Sequence, residues 1–243
     1  MQEKLLPYFE ERSAPVELLV FHCNAFDLEQ FCRWMHEYKT SAHYFIAEDG
    51  EITRLVPEDK CAYHAGKGFW RGKTAINARS IGIELQNQTL GQTPYAPQQI
   101  SALITLSQEI TCRYDIRPEN IIGHSDSAPD RKPDPGICFP WQKLAQQGLG
   151  IWPAPTSDNT RHNQAALPMA ALLARIGYIT ETIEQTQASA CAFCRRFAPQ
   201  FITPDFDIPH LVDHVLPDNF DFMQNPQFLK MLRCVAEAYP ALT

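Results

Sequence analysis

The sequence has no long hydrophobic run and no cluster of positive charge. Its longest apolar stretches, such as Val16 to Phe21, are far shorter than the roughly 20 residues of a membrane-spanning helix. The N-terminus, MQEKLLPYFEERSAP, lacks the apolar region of a signal peptide. The net charge is -7 and no run of Lys or Arg occurs, which argues against nucleic acid as a partner. We therefore expect no transmembrane segment and a cytoplasmic location, with a periplasmic or envelope location as the alternative if a leader is missing.

Signs of a disulfide framework are also lacking. The eight cysteines are scattered through 243 residues, of which 44% are hydrophobic, so the chain can bury a core without covalent cross-links. Free thiols in a reducing compartment are the expectation. The length fits either one large domain or a domain of roughly 150 residues followed by a small one. The sequence gives no indication of the oligomeric state.

The first half of the chain alternates between strand and helix patterns. Val16 to His22 is almost continuously apolar, which predicts a buried central strand that ends at a histidine. Asp27 is the predicted N-cap of an amphipathic helix that carries an apolar face of Phe31, Trp34 and Met35. The later elements are a hairpin over 43–56 turned at Asp49-Gly50, a strand over 80–85, a helix over 98–113 and a strand over 120–124. This order predicts an α/β domain with a mixed central β-sheet flanked by helices.

The second half contains only helical patterns, at residues 165–176, 183–197 and 226–238. Before them, residues 148–160 are rich in Gly, Pro, Ser and Asp, which is typical of a linker. We predict an α/β domain over residues 1–152, a linker over 153–163 and a small C-terminal α-helical domain over 164–243.

Three residues form a candidate metal site. His22 and His124 each end a predicted strand, and Asp134 follows ten positions later in GHSDSAPDRKPDPG. Two imidazoles and one carboxylate provide the three protein ligands of a catalytic zinc site, which keeps one position open. The alternative is a buried, hydrogen-bonded histidine and an aspartate that caps a turn. Spacing alone favours this structural alternative, because widely separated histidines are a weak signal.

Five motifs occur in order over about residues 15–146: VFHCNA, SAHYFIAEDGEITRLV, YHAGKGFWRG, NARSIGIELQN and GHSDSAPDRKPDPG. Together they resemble the N-acetylmuramoyl-L-alanine amidase type 2 family, which is similar to phage lysozyme-like amidases and peptidoglycan recognition proteins. The resemblance implies that one Zn²⁺ is bound by His22, His124 and Asp134. It also implies hydrolysis of the amide bond between N-acetylmuramic acid, or its 1,6-anhydro form, and L-alanine. The substrate would be peptidoglycan or an anhydro-muropeptide, and the sequence leaves this choice open.

The same resemblance assigns roles to four other residues. Glu84 is expected to be the general base, because Ala42 stands where some phage-type relatives carry a tyrosine. Lys132 is expected to stabilise the developing oxyanion. His64 is similar to a family position that lines the site and helps to hold the tetrahedral intermediate. Asn77 resembles a substrate-contacting position.

Two other functions are alternatives to the amidase, a binding-only module and a zinc peptidase. A binding-only peptidoglycan recognition module typically lacks the third ligand, whereas this chain keeps Asp134 together with Glu84 and Lys132. A zinc peptidase of the zincin type would carry an HExxH helix, and no such motif is present.

The C-terminal half contains a pattern with two interpretations. Cys191-x2-Cys194 and His210-x3-His214 fit the loose spacing of a zinc finger. The cysteines, however, lie within a helical pattern without turn residues. This segment resembles the peptidoglycan-binding domain type 1 over about residues 165–200, and we therefore expect a structural helix.

Overall fold

A computed structural model of the chain describes residues 1–154, 167–202, 216–217 and 219–242. Its strands are β1 (Gln2–Glu3), β2 (Phe9–Glu11), β3 (Leu18–Asn24), β4 (Tyr44–Ile46), β5 (Ile52–Arg54), β6 (Lys60–Ala62), β7 (Ser80–Gln86) and β8 (Ile121–Gly123). The α-helices within the described ranges are α1 (Leu28–Tyr38), α2 (Ile76–Arg79), α3 (Pro97–Tyr114), α4 (His124–Ser127), α5 (Trp141–Ala145), α6 (Met169–Ile176), α7 (Ile183–Phe197) and α8 (Pro226–Ala238).

Six strands form a mixed sheet in the order β1-β5-β4-β7-β3-β8, and β2 pairs with β6 in a separate antiparallel ribbon. The central pairs β4–β7, β7–β3 and β3–β8 are parallel, while β4 and β5 form an antiparallel hairpin. Parallel strands need helical crossovers, which α1, α2 and α3 provide. The predicted α/β class, mixed sheet and hairpin are confirmed.

The two faces of the sheet are covered by different helices. Leu19, Phe21 and Cys23 of β3 lie in the hydrophobic cluster that also contains the buried face of α3. Leu18 and Val20 lie in the cluster on the other face. Because neighbouring residues on a strand point to opposite faces, His22 shares the face of Leu18 and Val20, and Cys23 points away from it.

Helix α1 packs against the edge of the sheet on the face of His22. Asp27 accepts a hydrogen bond from the Gln30 amide (2.8 Å), and the Gln30 side chain accepts one from the Asp27 amide (3.1 Å), which forms a capping box. The predicted N-cap is therefore confirmed. Phe31 and Met35 are buried, whereas Trp34 is 41% exposed, so the apolar face is narrower than the sequence predicted.

Helices α6, α7 and α8 share a hydrophobic core with the N-terminal half of the chain. Their buried residues, which include Leu173, Phe193 and Phe228, lie in one cluster with Leu18 and Trp70. The shared core gives the C-terminal helices direct contact with the central sheet.

A buried polar contact joins α7 to α4. The Arg196 guanidinium donates to the Asp126 carboxylate over 2.7 Å, and the Tyr178 hydroxyl donates to the same carboxylate over 2.6 Å. Helix α7 therefore contacts α4, which directly follows β8, through a buried ion pair.

The cysteine pair of the second half lies inside a helix, as expected. Cys191 and Cys194 are both fully buried in α7, and burial raises the pKa of the Cys191 thiol to about 12. A thiol that resists ionisation is a poor metal ligand. His210, His214 and the predicted linker from residue 155 onward lie outside the described residues. None of the described helices has the length and apolar character needed to cross a bilayer.

Candidate active site and metal centre

The sheet and the loop after β8 bring the candidate ligands together. His22 on β3 is the register partner of Glu84 on β7, so both side chains project from the same face. His124 is the first residue of α4, directly after β8, which is the other neighbour of β3. The Ser125 amide donates to the Asp134 carbonyl over 2.8 Å and holds the later loop against α4. Residues far apart in the sequence thus meet at the carboxyl ends of three parallel strands.

Within the described residues, His22, His124 and Asp134 form the one cluster that could hold a metal ion, with ligand atoms within 4.8 Å of one another. The two imidazole Nδ1 atoms are 3.0 Å apart. The Asp134 Oδ2 atom lies 3.2 Å from each of them. Both histidines are almost completely buried.

The donor set of this cluster fits a divalent cation. The His124 Nε2 atom is 3.0 Å from the Ala65 carbonyl, which can only accept, so Nε2 carries a proton. When Nδ1 carries none, its lone pair points at the Asp134 carboxylate, which also accepts only. Two facing lone pairs without a proton between them repel, and a cation between them removes that repulsion. Two imidazoles and one carboxylate are a common zinc ligand set.

Burial and mutual charge set the protonation of these groups. Burial lowers the pKa of His22 to about 4, and the neighbouring His124 lowers it further in the same direction. Burial alone would raise the pKa of Asp134, but His124 and His22 outweigh it and hold that pKa well below the usual range. Neutral His22 and ionised Asp134 are the forms that bind metal.

Glu84 is buried next to the metal cluster, with 7% of its surface exposed. Its Oε2 atom accepts a hydrogen bond of 2.9 Å from the side-chain Nδ2 atom of Asn24. Burial raises the pKa of Glu84 to about 8, although the bond from Asn24 opposes the rise. A carboxylate with a raised pKa can accept and release a proton near neutral pH, as a general base requires.

A cleft of about 660 Å³ opens over these residues. Lys132 lines it together with His22, Glu84, His124 and Asp134, so the predicted base, cation and ligands face one cavity. Its lining also includes aromatic side chains, among them Phe26, Trp34 and Tyr38. The Trp34 and Tyr38 rings lie 4.0 Å apart between centroids, and Phe26 is 5.6 Å from Trp34.

His64 and Asn77 occupy supporting positions. His64 lines the cleft, but its Nδ1 atom lies 2.9 Å from His22 Nε2 and its Nε2 atom lies 3.1 Å from Ser80 Oγ. Asn77 does not line the described cleft. Its Oδ1 atom accepts from the Ala65 amide (2.7 Å), which fixes the loop whose carbonyl contacts His124. The predicted substrate contact of Asn77 stays a prediction that this geometry does not favour.

Sequence reasoning missed three contributors to the site. Asn24 and Ser80 lie two residues after His22 and four residues before Glu84, so strand alternation puts each on the face of the site. The two-residue alternation of side chains along a strand could have identified both Asn24 and Ser80 from the sequence. Arg131 donates to the Ala65 carbonyl over 2.7 Å. Nothing in its loop sequence distinguishes it from an exposed arginine.

The comparisons with known proteins agree with this geometry. The model of the family described as N-acetylmuramoyl-L-alanine amidase matches residues 12–137. AmiD of Escherichia coli (strain K12), an N-acetylmuramoyl-L-alanine amidase, is 38% identical over 218 residues, which cover 79% of this chain and 78% of that protein. The chain belongs to the N-acetylmuramoyl-L-alanine amidase family. The 1,6-anhydro-N-acetylmuramyl-L-alanine amidase AmpD of Enterobacter cloacae, a shorter match, is 44% identical over 104 residues, 43% of this chain and 54% of that protein.

Solved structures of family members have the same fold. E. coli AmiD, in complex with the substrate anhydro-N-acetylmuramic acid-L-Ala-D-gamma-Glu-L-Lys, superposes with a TM-score of 0.72 at 33% identity, covering 95% of this chain and 91% of that one. AmpDh3 from Pseudomonas aeruginosa superposes with a TM-score of 0.72 at 29% identity, covering 97% and 95%. The match therefore includes the C-terminal helices as well as the sheet.

Proposed function

We propose that this chain is a zinc-dependent N-acetylmuramoyl-L-alanine amidase. It cleaves the amide bond between N-acetylmuramic or 1,6-anhydro-N-acetylmuramic acid and the L-alanine of a stem peptide. The observation that carries the proposal is the convergence of His22, His124 and Asp134 beside a buried carboxylate in one open cleft. Membership of the amidase family supports the reaction class.

His22, His124 and Asp134 would hold one Zn²⁺ through two Nδ1 atoms and a carboxylate oxygen. Bound there, zinc would act as a Lewis acid and supply a nucleophile at neutral pH. Neutral His22 and ionised Asp134 leave their lone pairs free to bind the ion. The two histidines are buried and Asp134 is half-buried.

Glu84 would accept the proton of the attacking water, because it is the carboxylate that lines the cleft beside the ligands without being one of them. The protonated carboxyl would then pass that proton to the leaving amine. Asn24 holds the carboxylate by its Oε2 atom and leaves Oε1 free to take the proton. Lys132, on the cleft wall, would neutralise the oxyanion as the amide carbonyl becomes tetrahedral.

Phe26, Trp34 and Tyr38 give the cleft apolar aromatic surface in addition to its charged residues. A muropeptide has both kinds of group, a sugar ring with apolar faces and a charged stem peptide. E. coli AmiD was solved with anhydro-N-acetylmuramic acid-L-Ala-D-gamma-Glu-L-Lys, and we propose a substrate of that class for this chain. Binding of intact peptidoglycan by the C-terminal helices is a further part of the proposal, and it rests on the resemblance of that segment.

Product analysis tests the proposal. The zinc-loaded protein is incubated with an anhydro-muropeptide and, separately, with sacculi, and the products are identified by mass spectrometry. We expect a free stem peptide with N-terminal L-alanine and a sugar that retains its lactyl carboxylate. A new reducing sugar end, or cleavage within the stem peptide, would show a different reaction. Binding without any product would indicate the recognition module instead.

A further inference from the structure

His64 links the candidate ligand His22 to Ser80 through a chain of hydrogen bonds. His22 Nε2 lies 2.9 Å from His64 Nδ1, and His64 Nε2 lies 3.1 Å from Ser80 Oγ. Ser80 Oγ in turn donates to the Ile76 carbonyl over 2.6 Å. His22 and Ser80 are buried, and His64 is half-buried.

The end of this chain determines the direction of every bond in it. The Ile76 carbonyl can only accept, so the single hydroxyl proton of Ser80 points at it. Ser80 Oγ must then accept from His64, which puts the proton of the neutral His64 ring on Nε2. His64 Nδ1 is consequently an acceptor, and His22 must donate to it from Nε2. The proton of the neutral His22 ring therefore lies on Nε2, and its Nδ1 lone pair points at His124 and Asp134.

We propose that Ser80 and His64 are positioning residues that hold His22 in the tautomer able to bind metal. This inference rests on the proposed zinc site and adds two residues to it. His64 acts through His22 and Ser80 acts through His64, so neither needs to touch substrate. Both ring nitrogens of His64 are occupied by these bonds, which leaves it no donor for a tetrahedral intermediate.

Two neighbouring features support the hydrogen-bond chain from His22 through His64 to Ser80, which we call the relay. A Cβ atom at Gly82 would lie 2.4 Å from the His64 ring, so only glycine leaves room for that ring against β7. His124, by contrast, has its tautomer fixed independently by the Ala65 carbonyl. The relay therefore acts on one of the two imidazole ligands, and its loss should weaken metal binding without abolishing it.

The expected loss of zinc affinity can be taken from residues that hydrogen-bond to a metal-ligating histidine. Removing such a residue typically reduces metal affinity by about 10- to 100-fold. Ser80→Ala should weaken Zn²⁺ binding within that range, and Ser80→Thr, which keeps a hydroxyl, should restore most of it. His64→Phe removes the acceptor of His22 and should cost at least as much. The double variant Ser80→Ala/His64→Phe should match His64→Phe alone, because Ser80 acts only through His64.

The test measures Zn²⁺ affinity by competition with a chromophoric chelator. Ser107→Ala is the matched control, since Ser107 is fully buried in α3 on the other face of the sheet and should leave the affinity unchanged. Ser80→Ala that binds Zn²⁺ within about twofold of wild type, or a double variant that loses more than His64→Phe, would overturn the relay.

A second measurement does not depend on any variant folding. Nitrogen-15 NMR of the metal-free wild-type protein near pH 7.5 reports which ring nitrogen carries the proton. The relay requires Nε2–H in both His22 and His64, and an Nδ1–H tautomer in either would overturn it. If the wild type shows these tautomers and binds no zinc, the proposed function fails while the hydrogen-bond chain stands.

Discussion

Arg196→Met tests whether the C-terminal helices stabilise α4, the short helix that begins with the candidate ligand His124. The Arg196–Asp126 pair is buried, with side-chain exposures of 1% and 0%. The same Asp126 oxygen accepts from the Gly123 amide over 2.8 Å, directly before the candidate ligand His124. The guanidinium also lies 3.9 Å from the centre of the Trp141 ring. Methionine preserves much of this packing and removes only the charge and its hydrogen bonds.

The expected cost is large because one ion of a buried pair is left without its partner. Such removals cost about 3–5 kcal/mol. In a chain of this size each kcal/mol lowers the melting temperature by about 2–4 °C, so a decrease of roughly 6–20 °C is expected. Two groups still donate to Asp126, the Gly123 amide and the Tyr178 hydroxyl, and they favour the lower half of that range.

Urea unfolding followed by tryptophan fluorescence measures the free energy of unfolding of each variant in excess chelator. Arg175→Met is the control, because Arg175 is an exposed arginine on α6 and should change stability by less than about 0.5 kcal/mol. Adding Asp126→Asn to Arg196→Met removes the unpaired charge and should recover part of the loss. An Arg196→Met protein within about 1 kcal/mol of wild type, or a double variant with no recovery, would refute the reasoning.

Four further outcomes are expected. Glu84→Gln should keep its zinc, by metal analysis, and lose about 10²- to 10⁴-fold in kcat with little change in KM, because the proton moves only in the transition state. Lys132→Met should also lose kcat, and the double variant should lose less than the product of the two factors if both residues act at the same step. Burial and the nearby Arg12 lower the pKa of His43 to about 3. Below about pH 6.5 the unfolded chain therefore binds a proton that the folded chain excludes, and the free energy of unfolding decreases as the pH is lowered. His43→Gln should therefore remove about 1.4 kcal/mol per pH unit from the slope of unfolding free energy between about pH 6 and 4. A chain truncated after residue 154 should melt well below the full chain, measured by circular dichroism, and equal melting temperatures would contradict the shared core.

The parts of the site that the sequence could predict are those with a strand period or a specific motif. The strands that carry His22 and Glu84 are nearly continuous apolar runs. β7 begins at the predicted residue 80, whereas β3 begins and ends two residues later than predicted. The helices predicted at 183–197 and 226–238 agree residue for residue with α7 and α8. Local pattern is sufficient where one face of an element is fully buried.

What the sequence could not predict is the direction of hydrogen bonds between distant segments. The catalytic role that the resemblance implies for His64 stays a prediction, and its contacts with His22 and Ser80 depend on a loop folding back over β7. Trp34 was assigned to a buried face, yet the cleft leaves it 41% exposed. Neither outcome follows from helical or strand periodicity, because both depend on which elements pack next to one another.

The packing of the C-terminal helices on the N-terminal half of the chain also depends on which elements lie next to one another. Leu18, Val20 and Trp70 are fully buried in a core shared with α6, α7 and α8. Without those helices the sheet would expose apolar surface on the face that carries His22. The domain boundary near residue 152 stays a prediction. The packing argues that the C-terminal helices stabilise the N-terminal half whether or not they also bind peptidoglycan.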